Sequence, residues 1–184
     1  MVATLLSFGA LFASALFFLM GGGVLFTQLS LRMTQEGFST LTIGMTLACY
    51  FLGLMIGYFL CHRLIERVGH IRSFAVFAAA TTIIIILHGM FISALFWAIL
   101  RFFNGITVFG LFMVVESWLN ECSHSHTRGR VFSIYMTLTY MGIGIGQQLL
   151  NLGDDDGQQL FWIAALLFSL SLIPVSATRS VHPE

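Results

Sequence analysis

Lysine is absent from this chain of 184 residues: all eight basic residues are arginine, and eight Asp and Glu balance them to a formal net charge of zero. A neutral chain has no basic footprint for a phosphate backbone, which excludes a nucleic-acid binder. Charge of either sign is scarce, at 9% of residues against 58% hydrophobic. Soluble domains carry about 25% charged residues. There is too little polar material to cover a soluble domain, and far too much apolar material for a disordered chain. Cysteine is limited to Cys49, Cys61 and Cys122. None has CxxC or zinc spacing, and Cys61 and Cys122 fall at the cytoplasmic ends of apolar runs, so no disulfide is expected. GxSxG, HExxH and paired carboxylates within an apolar run are all missing, which argues against an enzyme. What remains is a polytopic membrane protein.

The charges act as rulers. None occurs from Met1 to Leu31; 26 uncharged residues separate Glu36 from Arg63, 28 separate Arg72 from Arg101, 23 separate Arg130 from Asp154 and 22 separate Asp156 from Arg179. A membrane-spanning helix needs roughly 20 apolar residues. The 48 residues from Ser73 to Asn120 are enough for two helices, with His88-Gly89 the best break. Six spans result, over 5–31, 40–61, 73–89, 92–119, 130–152 and 159–178. The first lacks a basic leader region and reads as a retained helix. Six spans put both termini on one side. That side carries Arg63, Arg67, Arg72, Arg128, Arg130 and Arg179, whereas the other carries only Arg32. The excess marks the first side as cytoplasmic. The run Asp154-Asp155-Asp156 then lies outside and reads as a solvated helix stop. Trp97, Trp118 and Trp162 fit interface belts.

Residues that are costly in hydrocarbon point to function. Arg101 falls two or three turns inside the fourth helix, where insertion costs about 2.5–3.5 kcal/mol. It is either a substrate or coupling group facing a wet interior, or an arginine snorkelling to the outer interface if the helix starts later. Glu116 lies 15 residues further, on nearly the same face. It needs a partner of its own, for which the arginines of the loop at 61–73 are candidates. Gln28, Asn104, Gln147, Gln148 and Asn151 either line a path or bond between helices. Gly53, Gly57, Gly105, Gly142 and Gly146 provide small faces for close helix packing. His124 and His126 could chelate a metal, but no third ligand is near, so neither a metal nor a cofactor is expected.

Three segments in order carry a family resemblance. The first is His62-Arg63-Leu64-Ile65-Glu66-Arg67-Val68-Gly69-His70-Ile71-Arg72, which resembles the loop motif G-x-L-x-D-R-x-G-R-K of the major facilitator superfamily. Arg101 through Gly105 resembles its fourth-helix R-x-x-x-G motif, and Arg128-Gly129-Arg130 its basic loop before helix five. Val114-Val115-Glu116-Ser117 with that later loop is similar to the YcaD-type bacterial branch. The chain departs from the pattern at His62 and His70, and it lacks the fifth-helix proline of the antiporters.

The resemblance implies an all-α membrane fold equivalent to the N-terminal half of such a transporter, a 3+3 inverted repeat over 1–178. Residues 179–184 would then be a cytoplasmic tail opening a truncated central linker. It implies secondary transport of a small solute by alternating access in the bacterial inner membrane. The partners would be the lipid bilayer, the solute, protons and a second six-helix half, supplied by the continued chain, a second copy or a partner chain. Glu66, Arg67, Gly69 and Arg72, with Glu116, Arg128 and Arg130, would form a charge latch. Arg101, with Asn104, Gln28 and Gln147, would serve substrate or coupling. A non-transporting membrane scaffold, a fragment of a longer transporter and a membrane-embedded enzyme using the cytoplasmic histidines are the rival readings.

Overall fold

The computed structural model describes residues 2–153 and 157–177. Asp154-Asp155-Asp156, Arg179 and the 179–184 tail lie outside the described residues. Among the described residues, seven α-helices follow one another: α1 (Val2–Gln35), α2 (Thr40–Val68), α3 (His70–Met90), α4 (Ala94–Cys122), α5 (Arg128–Gln148), α6 (Gln158–Leu170) and α7 (Leu172–Ser176). A 3-10 turn over Leu149–Leu152 extends α5.

The helices run further than the apolar runs. The segment 61–73, expected as a loop, is helix on both sides of one residue, Gly69. Charged side chains end a hydrocarbon span but do not end a helix; only a residue outside helical φ/ψ does. Gly69 has φ +84° and ψ 169°, a combination essentially confined to glycine. The turn expected at His88-Gly89 sits instead at residues 91–93, after α3 has closed on Met90. Helix α6 breaks from α7 at Ser171 because Pro174 has no N–H and crowds the carbonyl four residues earlier. The amide of Val175 is satisfied from outside, donating to Ser14 Oγ of α1 at 3.1 Å.

Among the described residues, five helical segments are long and apolar enough to cross a membrane: Phe8–Gln35, Thr40–Val68, His70–Met90, Ala94–Cys122 and Gln158–Ser176. The expectation of six therefore meets an exception in α5, which is 21 residues long but less apolar. Ser133, Thr137, Tyr140, Gly144, Gln147 and Asn151 recur at steps of four and three, and all are exposed. They form one polar stripe along the helix.

The packing repeats itself. Helix α2 lies along α4 as α5 lies along α1; α3 packs on α4 as α6 packs on α1; α3 and α6 meet each other. Exchanging α1 with α4, α2 with α5 and α3 with α6 reproduces these contacts. Glycines set both tight crossings. A Cβ on Gly53 would strike the Phe102 carbonyl of α4, and one on Gly105 the Tyr50 carbonyl of α2. At the other crossing, a Cβ on Gly146 would strike the Met20 carbonyl, and one on Gly23 would lie 2.6 Å from the Ile143 carbonyl. Gly57 and Gly142 continue the two seams against Phe109 and Leu19.

The core fills with aromatics. Phe18 meets Phe74, Phe112 and Phe168. Trp97 and Trp118, expected at the membrane interface, are buried in the bundle, whereas Trp162 is exposed. Trp97 reaches the Phe91 carbonyl with its Nε1–H at 2.6 Å, which satisfies the one polar atom that would have drawn it to the interface.

Candidate functional site

Two helical turns into α4, Arg101 is 1% exposed. Burial follows from the close α2–α4 crossing, because Gly105 lies one turn away and lets α2 close over this face of α4. The guanidinium donates through Nη1 to Asn104 Oδ1 at 2.9 Å. Its carbon stands 4.4 Å from the ring centre of Tyr50 and 5.9 Å from that of Phe26. Its Nε and Nη2 have no hydrogen-bond partner, and neither has Asn104 Nδ2. Among the described residues no carboxylate forms an ion pair with Arg101.

The contacts around Arg101 offset much of the cost of burying it but do not satisfy the whole guanidinium. Burying a cation costs several kcal/mol even after relaxation. Two cation–π contacts recover about 0.5–2 kcal/mol each, and a hydrogen bond to a charged group about 1.5–3 kcal/mol. Two guanidinium nitrogens still lack acceptors.

A cavity of about 360 Å³ opens beside it. Its wall is formed by α1 (Phe18, Gly22, Phe26), α2 (Tyr50), α4 (Val108, Phe112), α5 (Ile143, Gln147) and α6 (Phe168). Phe26 and Tyr50 belong both to this wall and to the pair of rings over Arg101. The cation therefore lies directly behind two aromatic wall residues. Gly22 lines the cavity on α1, where a Cβ would meet nothing within 4 Å, while the missing side chain of Gly23 serves the seam with α5.

The four residues expected at a substrate or coupling site separate into three situations. Arg101 and Asn104 form one hydrogen-bonded pair behind the wall. Gln147 lines the cavity. Gln28 is buried elsewhere: its Nε2 donates to the Gly157 carbonyl at 2.8 Å, tying α1 to the start of α6. Sequence reasoning missed the aromatic partners Phe26 and Tyr50. An aromatic in an apolar run carries no signal of its own, and only the crossing brings them onto Arg101.

The charges expected to latch are distributed otherwise. Glu66 pairs with His62 one turn earlier on α2, Nε2 to Oε1 3.0 Å, while Arg67, Arg72, Arg128 and Arg130 are exposed. Glu116 meets no arginine of the α2–α3 turn. Its Oε1 accepts from the Tyr135 hydroxyl of α5 at 3.5 Å, because α5 and not the turn lies over that face of α4. The α3–α4 contact is made instead by His70, whose Nε2 lies 3.0 Å from Ser117 Oγ and 3.5 Å from Glu121 Oε1. The rings of His124 and His126 stack at 5.7 Å, and among the described residues no group of three metal-ligating side chains forms.

Deeper in the bundle, His88 is fully buried with Nδ1 2.9 Å from the Ile84 carbonyl and Nε2 unpartnered. It stacks on Phe161 and tilts against Trp97.

Comparison with known proteins places this architecture. The sequence pattern of the Major Facilitator Superfamily matches residues 11–183. MFS-type transporters named YcaD from Salmonella typhi and Salmonella newport are each 31% identical over 166 residues, which is 88% of this chain and 42% of theirs. The chain thus spans less than half the length of these relatives. Among solved structures, a D-xylose-proton symporter superposes with a TM-score of 0.71 over 96% of this chain and 48% of its own, at 19% identity. That likeness shows the fold.

Proposed function

The chain belongs to the major facilitator superfamily, and from that premise we propose that it forms one six-helix half of a secondary transporter. It moves a small solute by alternating access against a second six-helix unit. The observation that carries this reading is the cavity at the α1, α2, α4 and α5 crossings with an unpaired cation behind its wall. A cavity with an apolar lining and a few converging polar groups is the usual form of a small-molecule site. In repeat-built transporters such sites lie between helices near the middle of the membrane.

The second unit is supported by the share of the relatives that this chain spans, 42%, and by the doubled packing of three helices on three. The proposed fold is an inverted 3+3 repeat with α5 as the sixth span. The polar stripe of α5 explains why it is less apolar than its neighbours: it faces the water-filled path or the second unit instead of lipid. With α3 and α4 across the membrane, the arginines of the α2–α3 and α4–α5 turns fall on one side, and with α5 and α6 also across, both termini join them. Both termini are then cytoplasmic. Glu66, Arg67, Gly69 and Arg72, with Glu116, Arg128 and Arg130, would tighten on that side when the transporter closes there. Protons are the proposed coupling ion, with Arg101 at the coupling point. The membrane is the bacterial inner membrane.

The test is flux into liposomes that contain the assembly extracted from its own membrane, read by solute uptake and by an internal pH dye. Arg101→Ala is expected to abolish uptake while the protein still assembles. Unchanged uptake would remove Arg101 from the site. Stable co-purification with a partner and no flux for any solute would favour a scaffold.

A further inference from the structure

Three unpartnered donor nitrogens sit on two hydrogen-bonded side chains, Arg101 and Asn104, both about 1% exposed. The rings of Phe26 and Tyr50 lie over the Arg101 guanidinium and also form the cavity wall. The remainder of that wall is Phe18, Phe112, Val108 and other apolar groups, and Gln147 is its one side-chain amide.

Each part of this arrangement selects a chemistry. A guanidinium offers a planar fork of donors that matches a carboxylate better than any neutral group. Aromatic walls favour a flat or apolar body. A polyol would find few side-chain partners in this wall beyond the Gln147 amide and the Tyr50 hydroxyl, leaving most of its hydroxyl groups unbonded against apolar rings. The cavity, about 360 Å³, is at the small end of known ligand sites. We propose that this site binds a small organic anion, with its carboxylate on Arg101 and Asn104 and an aromatic or other apolar body in the cavity. Phe26 is 49% exposed, so its ring turns aside with little packing lost and opens the way to the guanidinium. Tyr50, lying closer, remains as the facing ring. The proposal rests on the transport reading only in taking this cavity as the place of the solute; anion binding itself requires no flux.

The test is equilibrium binding by calorimetry to the intact assembly extracted from its own membrane. The probes are benzoate and its uncharged counterpart of similar shape, benzyl alcohol. Benzoate is expected to bind about tenfold or more tightly, since only the anion satisfies the buried fork. Arg101→Gln is expected to erase the difference. If that variant does not assemble, the comparison of the two probes on the unaltered protein decides the question. Equal affinity for both probes, no benzoate binding, or a benzoate preference that survives Arg101→Gln would overturn the proposal. A carboxylate from the second six-helix unit already seated on Arg101 would give the first of these results. Flux assays separate the two readings. A benzoate preference without any flux removes transport and keeps the anion site. Uptake of a neutral solute that benzoate does not inhibit keeps transport and removes the anion site.

Discussion

Gly69 shows what a single residue of the α2–α3 segment does. Its φ of +84° with ψ 169° joins two long helices through one residue. A Cβ there would meet nothing within 4 Å, so any effect of substitution comes from backbone strain and not from a clash. Gly69→Ala should lower stability by about 1–3 kcal/mol. Thermal unfolding in detergent followed by tryptophan fluorescence reads this directly, and an unshifted midpoint would mean that the turn adopts another geometry. The position was visible in the sequence as a motif glycine, but its one-residue turn was not. The charges around it suggested an open loop, whereas His62, Glu66 and Arg67 ride on helix. Arg101 was legible for a different reason: an arginine seven residues inside an apolar helix has few ways to be comfortable. Its aromatic partners were not legible, because ring contacts are decided by how two helices cross.

At the scale of helices, the crossings rest on pairs of small residues. Gly53 and Gly105 occupy one seam, and Gly146 and Gly23 the other, each with a neighbouring carbonyl where a Cβ would go. In a bilayer there is no hydrophobic gain from bringing helices together, so close backbone approach and its dispersion contacts supply much of the attraction. Gly53→Ala and Gly146→Ala should each cost about 1–3 kcal/mol by overpacking. Because they lie in different seams, their effects should add within about 0.5 kcal/mol. Gly53→Ala with Gly105→Ala should not add, since the first methyl already parts the backbones that the second would strike. A double-mutant cycle on thermal stability distinguishes these cases, and equal coupling in both pairs would contradict the two-seam arrangement. The small-residue faces of α2, α4 and α5 were readable from glycine spacing. Which helix each face meets was not, because periodicity gives a face and no partner. Helix α5 was also easy to misjudge: its charge-free length reads as a span, while its regular polar stripe gives it a lower apolar content than the other five.

For the whole molecule, the decisive question is how the six long segments cross the bilayer. The α1–α2 turn at Glu36 and the α4–α5 turn at Ser125 are three spans apart and lie on opposite sides; if α5 also spans, Leu152 returns to the side of Glu36. If α5 lies along the surface, α6 starts from the side where α4 ends, and the position of everything after Ser125 is inverted. The arginine distribution bears on α1 to α4 and not on α5: Arg63, Arg67, Arg72, Arg128 and Arg130 gather at two turns, and Arg32 is at the other end, paired with Glu36 at 2.7 Å. Each basic residue near a span end biases that end toward the cytoplasm. Single cysteines at Glu36 and Ser125, both exposed, in a chain with Cys49, Cys61 and Cys122 replaced by Ala, test this in intact cells with a membrane-impermeant maleimide. Glu36→Cys should label from outside and Ser125→Cys only after permeabilisation. A third probe at Leu152, exposed just beyond α5, completes the test. Leu152→Cys should label from outside like Glu36→Cys. If it instead tracks Ser125→Cys, α5 does not cross, the doubled packing of α1 to α3 on α4 to α6 is not an inverted repeat, and the cavity cannot be the midpoint of an alternating-access path.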